Sequence, residues 1–161
     1  MKVLVSDTNI WIDLYHGGLL EAVFRLPYQF VTTDFVWQEL HKPPGASLLE
    51  LGLTVEGLDS TDLAELHMLM GRLNNTSLAD VSCYYLAASR KWTLLTGDKA
   101  VRKDGEAAQL EVRGVLWLMD ELYINTLLNG EELAAALQVM LENGARLPEK
   151  ACQLRILRWL S

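Results

Sequence analysis

Lys2-Val3-Leu4-Val5-Ser6 runs directly into Asp7-Thr8-Asn9, and this junction decides how the fold is read. The first segment is short, apolar and β-branched, which is the composition of a buried strand. Residues 10–15 then read as helix, and Gly17-Gly18 breaks it. Working outward, residues 29–32, 53–55, 92–96 and 115–118 read as further strands. Helices are expected over residues 35–40, from 60–62 onward to 73, from Ser77 to Ala88, over most of 99–112, and over 119–128, 131–142 and 148–160. Gly105 weakens the helix that contains it. Pro43-Pro44-Gly45 reads as a stop, and Pro148 suits the first turn of a helix. Strands alternating with helices imply parallel pairing with helices on both faces. The expectation is an α/β fold, a three-layer α/β/α sandwich around a central, mainly parallel sheet. One domain is expected over 1–161, with a core over 1–128. The helical part 129–161 is open between a flap, an oligomer contact and the last layer of the core.

Composition narrows the function classes. The net charge of −7 argues against passive nucleic-acid binding through a basic surface. It does not exclude an enzyme that handles phosphodiesters through metal ions, because bound cations reverse the local field. No apolar run approaches the roughly 18 residues of a membrane span. The apolar run at the N-terminus is too short for a signal peptide, and Asp7 ends it. Cys83 and Cys152 lie far apart with no CxxC or Cys/His pattern, as expected of reduced, buried thiols in a cytoplasmic protein. His16, His41 and His67 show no ligand spacing, so a zinc site is not expected.

The acidic residues fall at suggestive places. In an open parallel sheet, ligands bind beyond the carboxyl ends of the strands. Asp7 follows the first strand, and Asp98 follows Trp92-Thr93-Leu94-Leu95-Thr96-Gly97. Asp80 lies in the first turn of a helix, and Glu39 lies in the helix after the second strand. Carboxylates gathered at one rim repel one another unless a cation binds, and hard oxygen donors favour Mg²⁺ or Mn²⁺. Each residue also has a plain explanation. Asp7 can cap a helix. Ser77-Leu78-Ala79-Asp80 has the spacing of a capping box. Gly97-Asp98 suits a turn, and Glu39 suits a solvated helix face.

Taken together, these segments resemble the PIN-domain family. Val3-Leu4-Val5-Ser6-Asp7-Thr8-Asn9 resembles its opening strand and D-[TS]-[NS] motif. Phe35-Val36-Trp37-Gln38-Glu39-Leu40 resembles the segment holding its second acidic residue, and Ser77 through Ala87 the helix holding its third. Leu94-Leu95-Thr96-Gly97-Asp98 resembles its LLT-x-D motif, and Gly114-Val115-Leu116-Trp117-Leu118 a strand that often follows. The resemblance implies a quartet, Asp7, Glu39, Asp80 and Asp98, that binds Mg²⁺ or Mn²⁺. It implies that Asn9 orients the first Asp or a water, and that Thr96 is a small hydroxyl residue beside the last Asp. The implied activity is metal-assisted hydrolysis of RNA, leaving a 5′-phosphate and a 3′-hydroxyl. Many small prokaryotic members resemble VapC-type toxins held silent by an antitoxin, so a toxin role, an antitoxin partner and a homodimer are implied expectations.

The chain also departs from the family. Lys99-Ala100-Val101-Arg102-Lys103 stands where members often carry a further Asp and an aromatic, and Asp104 comes later. The basic run Lys99, Arg102 and Lys103 suits either phosphate contact or an exposed helix face. Trp11 and Trp37, near Asp7 and Glu39, suit either base stacking or packing. The helix ending at Trp159 suits subunit pairing or packing on its own domain. A haloacid-dehalogenase-type phosphatase would need an Asp where Asn9 stands, and a receiver domain an acidic pair that Ser6-Asp7 does not provide. A catalytically inactive PIN-like interaction module is the non-enzyme alternative, and all four acidic positions are filled.

Overall fold

The computed structural model describes residues 1–161. Its strands are β1 (Lys2–Ser6), β2 (Tyr28–Thr33), β3 (Thr54–Glu56), β4 (Thr93–Leu95) and β5 (Val112–Arg113). They form one sheet in the order β3-β2-β1-β4-β5, and every pair is parallel. Val5 of β1 is in register with Val31 of β2 on one side and Leu94 of β4 on the other. Leu4, Val5 and Ser6 are consecutive and all buried. A strand buried at successive positions has both faces covered, as parallel sheets require.

The helices are α1 (Thr8–His16), α2 (Leu20–Val23), α3 (Asp34–Glu39), α4 (Gly45–Leu51), α5 (Ser60–Arg72), α6 (Leu78–Arg90), α7 (Lys99–Ala107), α8 (Val115–Ile124), α9 (Gly130–Glu142) and α10 (Glu149–Leu160). Helix α6 lies on β1, β2 and β4, while α1 packs with α2, α8 and α9. The result is the expected three-layer α/β/α architecture, with a sheet that is wholly rather than mainly parallel.

Two local expectations are corrected. Residues 115–118 are not a strand; they open α8, and the fifth strand is the two-residue β5 just before them. Val115, Leu118, Met119 and Leu122 are all buried. Those positions repeat with the helical period, which a four-residue apolar run cannot reveal by itself. Within the expected Pro43-Pro44-Gly45 stop, Pro44 is instead the N-cap and Gly45 the first residue of an unanticipated helix, α4, which runs to Leu51 and buries Leu48.

The C-terminal part belongs to the core. Leu133, Leu137, Met140, Cys152 and Trp159 join the same contiguous cluster of buried apolar side chains as Leu4 and Leu94. Close contact locks α9 to α10: a Cβ on Gly130 would lie 2.0 Å from the Trp159 carbonyl oxygen. Asp120 of α8 ties α10 down, accepting 2.7 Å hydrogen bonds from both Arg155 and Arg158. Trp11 is fully buried, stacked on Phe24 at 5.5 Å and edge-on to Phe30. Its role is packing, not base stacking. No helix is long and apolar enough to cross a membrane.

Candidate active site

The sheet order reverses between β1 and β4. In doubly wound sheets this switch point opens a crevice beyond the strand ends, because the two following connections diverge to opposite sides. Asp7 leaves β1 at that point, and Asp98 leaves β4 through Thr96 and Gly97. The Asp7 N–H donates to the Leu95 carbonyl at 3.2 Å, which fixes the two strand ends against each other.

The capping roles expected of the acidic residues form in part. Asp7 caps α1, with its Oδ1 accepting from the Ile10 N–H at 3.1 Å. Its Oδ2 accepts from the Thr96 hydroxyl at 2.7 Å. Thr96 Oγ1 in turn accepts from the Asp98 N–H at 3.1 Å, and Asp98 caps α7 through the Val101 N–H at 2.9 Å. An anionic side chain at a helix N-terminus is stabilised by the unpaired N–H groups and the helix dipole. Glu39 accepts from the Thr8 hydroxyl. At Asp80 only half of the expected capping box forms. Its N–H donates to Ser77 Oγ at 3.1 Å, but its carboxylate does not return the bond. That carboxylate faces the crevice instead.

Electrostatics join these residues. Burial raises the Asp7 carboxyl to about 7, and the Asp80 charge adds to the rise, while Thr96 and the Ile10 N–H oppose it. Burial also raises Asp80; the Ser77 hydroxyl opposes that, and the charges of Asp98 and Glu39 reinforce it. None of the ion pairs in the structure reaches Asp7, Glu39, Asp80 or Asp98. Asp80 is thus coupled to Asp7, Asp98 and Glu39, and no ion pair neutralises any of the four. The donor set is all oxygen, which suits a hard divalent cation. The four do not close into a ready cage: nowhere do three Asp, Glu, His or Cys side chains stand where they would hold one ion. Uncompensated carboxylates repel, and here three of the four turn to hydrogen-bond donors on their own helices or neighbours.

The crevice continues into a groove of about 1300 Å³. Asn9, Asp80, Thr96 and Asp98 line one end of it, with Asn9 exposed to solvent. Asp13, one helical turn beyond Asn9 on α1, also lines it, and burial raises its carboxyl to about 6 against the pull of His16. The spacing of Asn9 and Asp13 on one helix face was a usable signal for that residue. Lys99 and Arg102 from the basic run face the groove, whereas Lys103 lies outside it. Arg113, Arg146 and Arg155 complete the cationic lining. No local pattern marks Arg146 or Arg155, which enter the groove only because the C-terminal helices fold back beside it.

Comparison with known proteins agrees with this architecture. The family model described as "DUF3368: PIN domain" matches residues 3–160. The fold is similar to that of a PilT N-terminus domain protein from the hyperthermophilic archaeon Sulfolobus solfataricus P2. The TM-score is 0.50 at 14% identity over 76% of this chain and 94% of that one. At that identity the likeness concerns the fold alone. Comparison with the curated proteins finds no match.

Proposed function

This chain belongs to the PIN-domain family, and on that premise we propose that it is an Mg²⁺- or Mn²⁺-dependent endoribonuclease. The observation that carries the reading is the coupling of Asp80 to Asp7, Glu39 and Asp98 by the β1–β4 switch point, partly buried and with no ion pair to any of the four. Such a cluster raises the free energy of the protein alone and lowers it when a cation binds.

The residues have separate tasks. Asp7, Asp80, Asp98 and Glu39 would hold the ion or ions. A divalent ion held there supplies Lewis acidity at a phosphoryl oxygen and positive charge for an attacking water. Thr96 fixes the orientation of Asp7, and the Asp98 N–H fixes Thr96. Thr8 restrains Glu39, and Asn9 presents an amide to the groove beside Asp80. The test is cleavage of structured and unstructured RNA with Mn²⁺, Mg²⁺ or EDTA. Wild type should cut only with metal, and Asp98→Asn should not cut. Metal-independent cleavage, or full activity in Asp98→Asn, would remove the assignment.

Two finer proposals rest on the family resemblance. The chain acts as the toxin of a toxin–antitoxin pair, in which case induced wild type should arrest growth in a cell where Asp98→Asn does not. It also forms a homodimer through α10, whose Leu154, Leu157 and Leu160 are each more than half exposed on the surface of this one chain. Leu157→Glu should then yield a monomer in solution.

A further inference from the structure

We propose that Arg146, together with Lys99, grips the phosphate backbone of an RNA strand lying along the groove, and so positions the strand over Asp80 and Asp98. The proposal rests on the ribonuclease reading for the identity of the ligand. It draws on a different set of residues.

The chain as a whole is acidic, at −7, yet five of its cations line this one groove against three carboxylates. A basic channel on an acidic protein concentrates a polyanion where the rest of the surface repels it. The five cations divide into two kinds. Arg155 gives its guanidinium to Asp120, Arg113 pairs with Glu111 at 3.4 Å, and Arg102 reaches the Thr96 carbonyl at 3.2 Å and Glu106 at 3.5 Å. These are engaged in holding the walls. Lys99 and Arg146 make no ion pair and no side-chain hydrogen bond, and both are exposed. Lys99 immediately follows Asp98, on the carboxylate side. Arg146 projects from the turn between α9 and α10.

That turn is fixed, which separates Arg146 from an ordinary surface arginine. Gly144 takes the left-handed backbone at φ +93°, where a side chain would be strained. Its N–H donates to the Leu141 carbonyl at 3.1 Å, and the Ala145 N–H to the Met140 carbonyl at 3.0 Å. Ala145 and Leu147 are half-buried against the core, so the residue between them is held with its side chain outward. A guanidinium on a fixed backbone, with all its donors free, suits bidentate contact to a phosphate. Such contacts set position rather than sequence preference.

The experiment measures binding of a labelled oligouridine and a mixed-sequence RNA across a salt series, in EDTA and in Ca²⁺, alongside cleavage in Mn²⁺. The chains compared are wild type, Arg146→Gln, Arg146→Lys, Lys99→Gln and, as a control outside the groove, Lys103→Gln. Arg146→Gln and Lys99→Gln should each weaken binding equally for both RNAs. Each should lower the salt slope by about 0.7–1 and raise KM more than they change kcat. Arg146→Lys should retain most of the slope, and Lys103→Gln should match wild type. Unchanged slopes and KM in Arg146→Gln and Lys99→Gln, with wild type cutting RNA, would overturn the proposal and leave the ribonuclease reading intact. If wild type binds RNA but cuts none, the ribonuclease reading falls and the slopes still decide the role of Arg146. If wild type does not bind RNA in either condition, both are overturned.

Discussion

The Thr96 hydroxyl donates to Asp7 Oδ2 at 2.7 Å across the boundary between β4 and β1, and both residues are buried. This bond ties the two strand ends that flank the crevice, and it is the one hydroxyl contact that holds down the Asp7 pKa. Thr96→Val keeps the shape and removes the donor. It leaves a buried carboxylate oxygen unpaired, at a cost of about 1–3 kcal/mol. Loss of the orienting contact should lower RNA cleavage by roughly 10- to 100-fold. Thr96→Ser should restore most of both. Denaturant melts and cleavage rates on the pair of variants check this.

Asp7 gives a pH signature. Its carboxyl is raised to about 7 in the folded protein and is ordinary, near 3.8, when unfolded. The folded state therefore binds more protons between those values, and stability falls as pH rises through that window. The penalty is absent below about 3.8 and complete above about 7. It amounts to about 4 kcal/mol for a group so shifted. Asp7→Asn removes the titrating group while weakening two hydrogen bonds, so metal-free Asp7→Asn should be more stable than wild type by about 1–3 kcal/mol at pH 8. The gain should vanish near pH 4. Stability measured at both pH values decides it; an equal difference at the two would refute the assignment.

Divalent cations should reverse that penalty. On the proposed reading Mn²⁺ is to bind the folded cluster and not the unfolded chain, so at a hundredfold excess over Kd it should add about 2.7 kcal/mol of stability. The rise in Tm should be large for wild type and much smaller for Asp80→Asn, because Asp80 shares the field of Asp7, Asp98 and Glu39. Equal shifts in the two proteins would count against a shared site. Calorimetry with and without EDTA gives the comparison.

Gly130 tests the packing of α9 on α10. Any Cβ there meets the Trp159 backbone, 2.0 Å from the carbonyl oxygen, so α9 and α10 must separate. Gly130→Ala should lose about 1–3 kcal/mol of stability. The contact joins the start of α9 to the end of α10, away from the turn that carries Arg146, so RNA affinity should change far less than stability. Denaturant unfolding and RNA binding on the same preparation check both effects.

Much of this protein was written locally. A short apolar run ending in Asp7, a second ending near Asp98, and helix patterns between them specify parallel α/β pairing, because buried strands and amphipathic helices have distinct periods. Capping is local too, so Asp7 and Ser77 could be placed at helix starts from spacing alone, whereas Gly97-Asp98 read as a turn and the structure makes Asp98 the cap of α7. Residues 115–118 could not be assigned this way, since four apolar residues fit a strand or a buried helix equally, and only packing against the core selects α8. Tertiary structure alone decided that Asp80 stands in the field of Glu39 and Asp98. It alone sorted Lys99 and Arg102 from Lys103, and it brought Asp13 and Arg146 to the same groove. Sequence sets what each segment is, through torsional preference, period and caps. Which segments meet depends on the strand order β3-β2-β1-β4-β5 and on which faces bury one another, and those are properties of the whole chain.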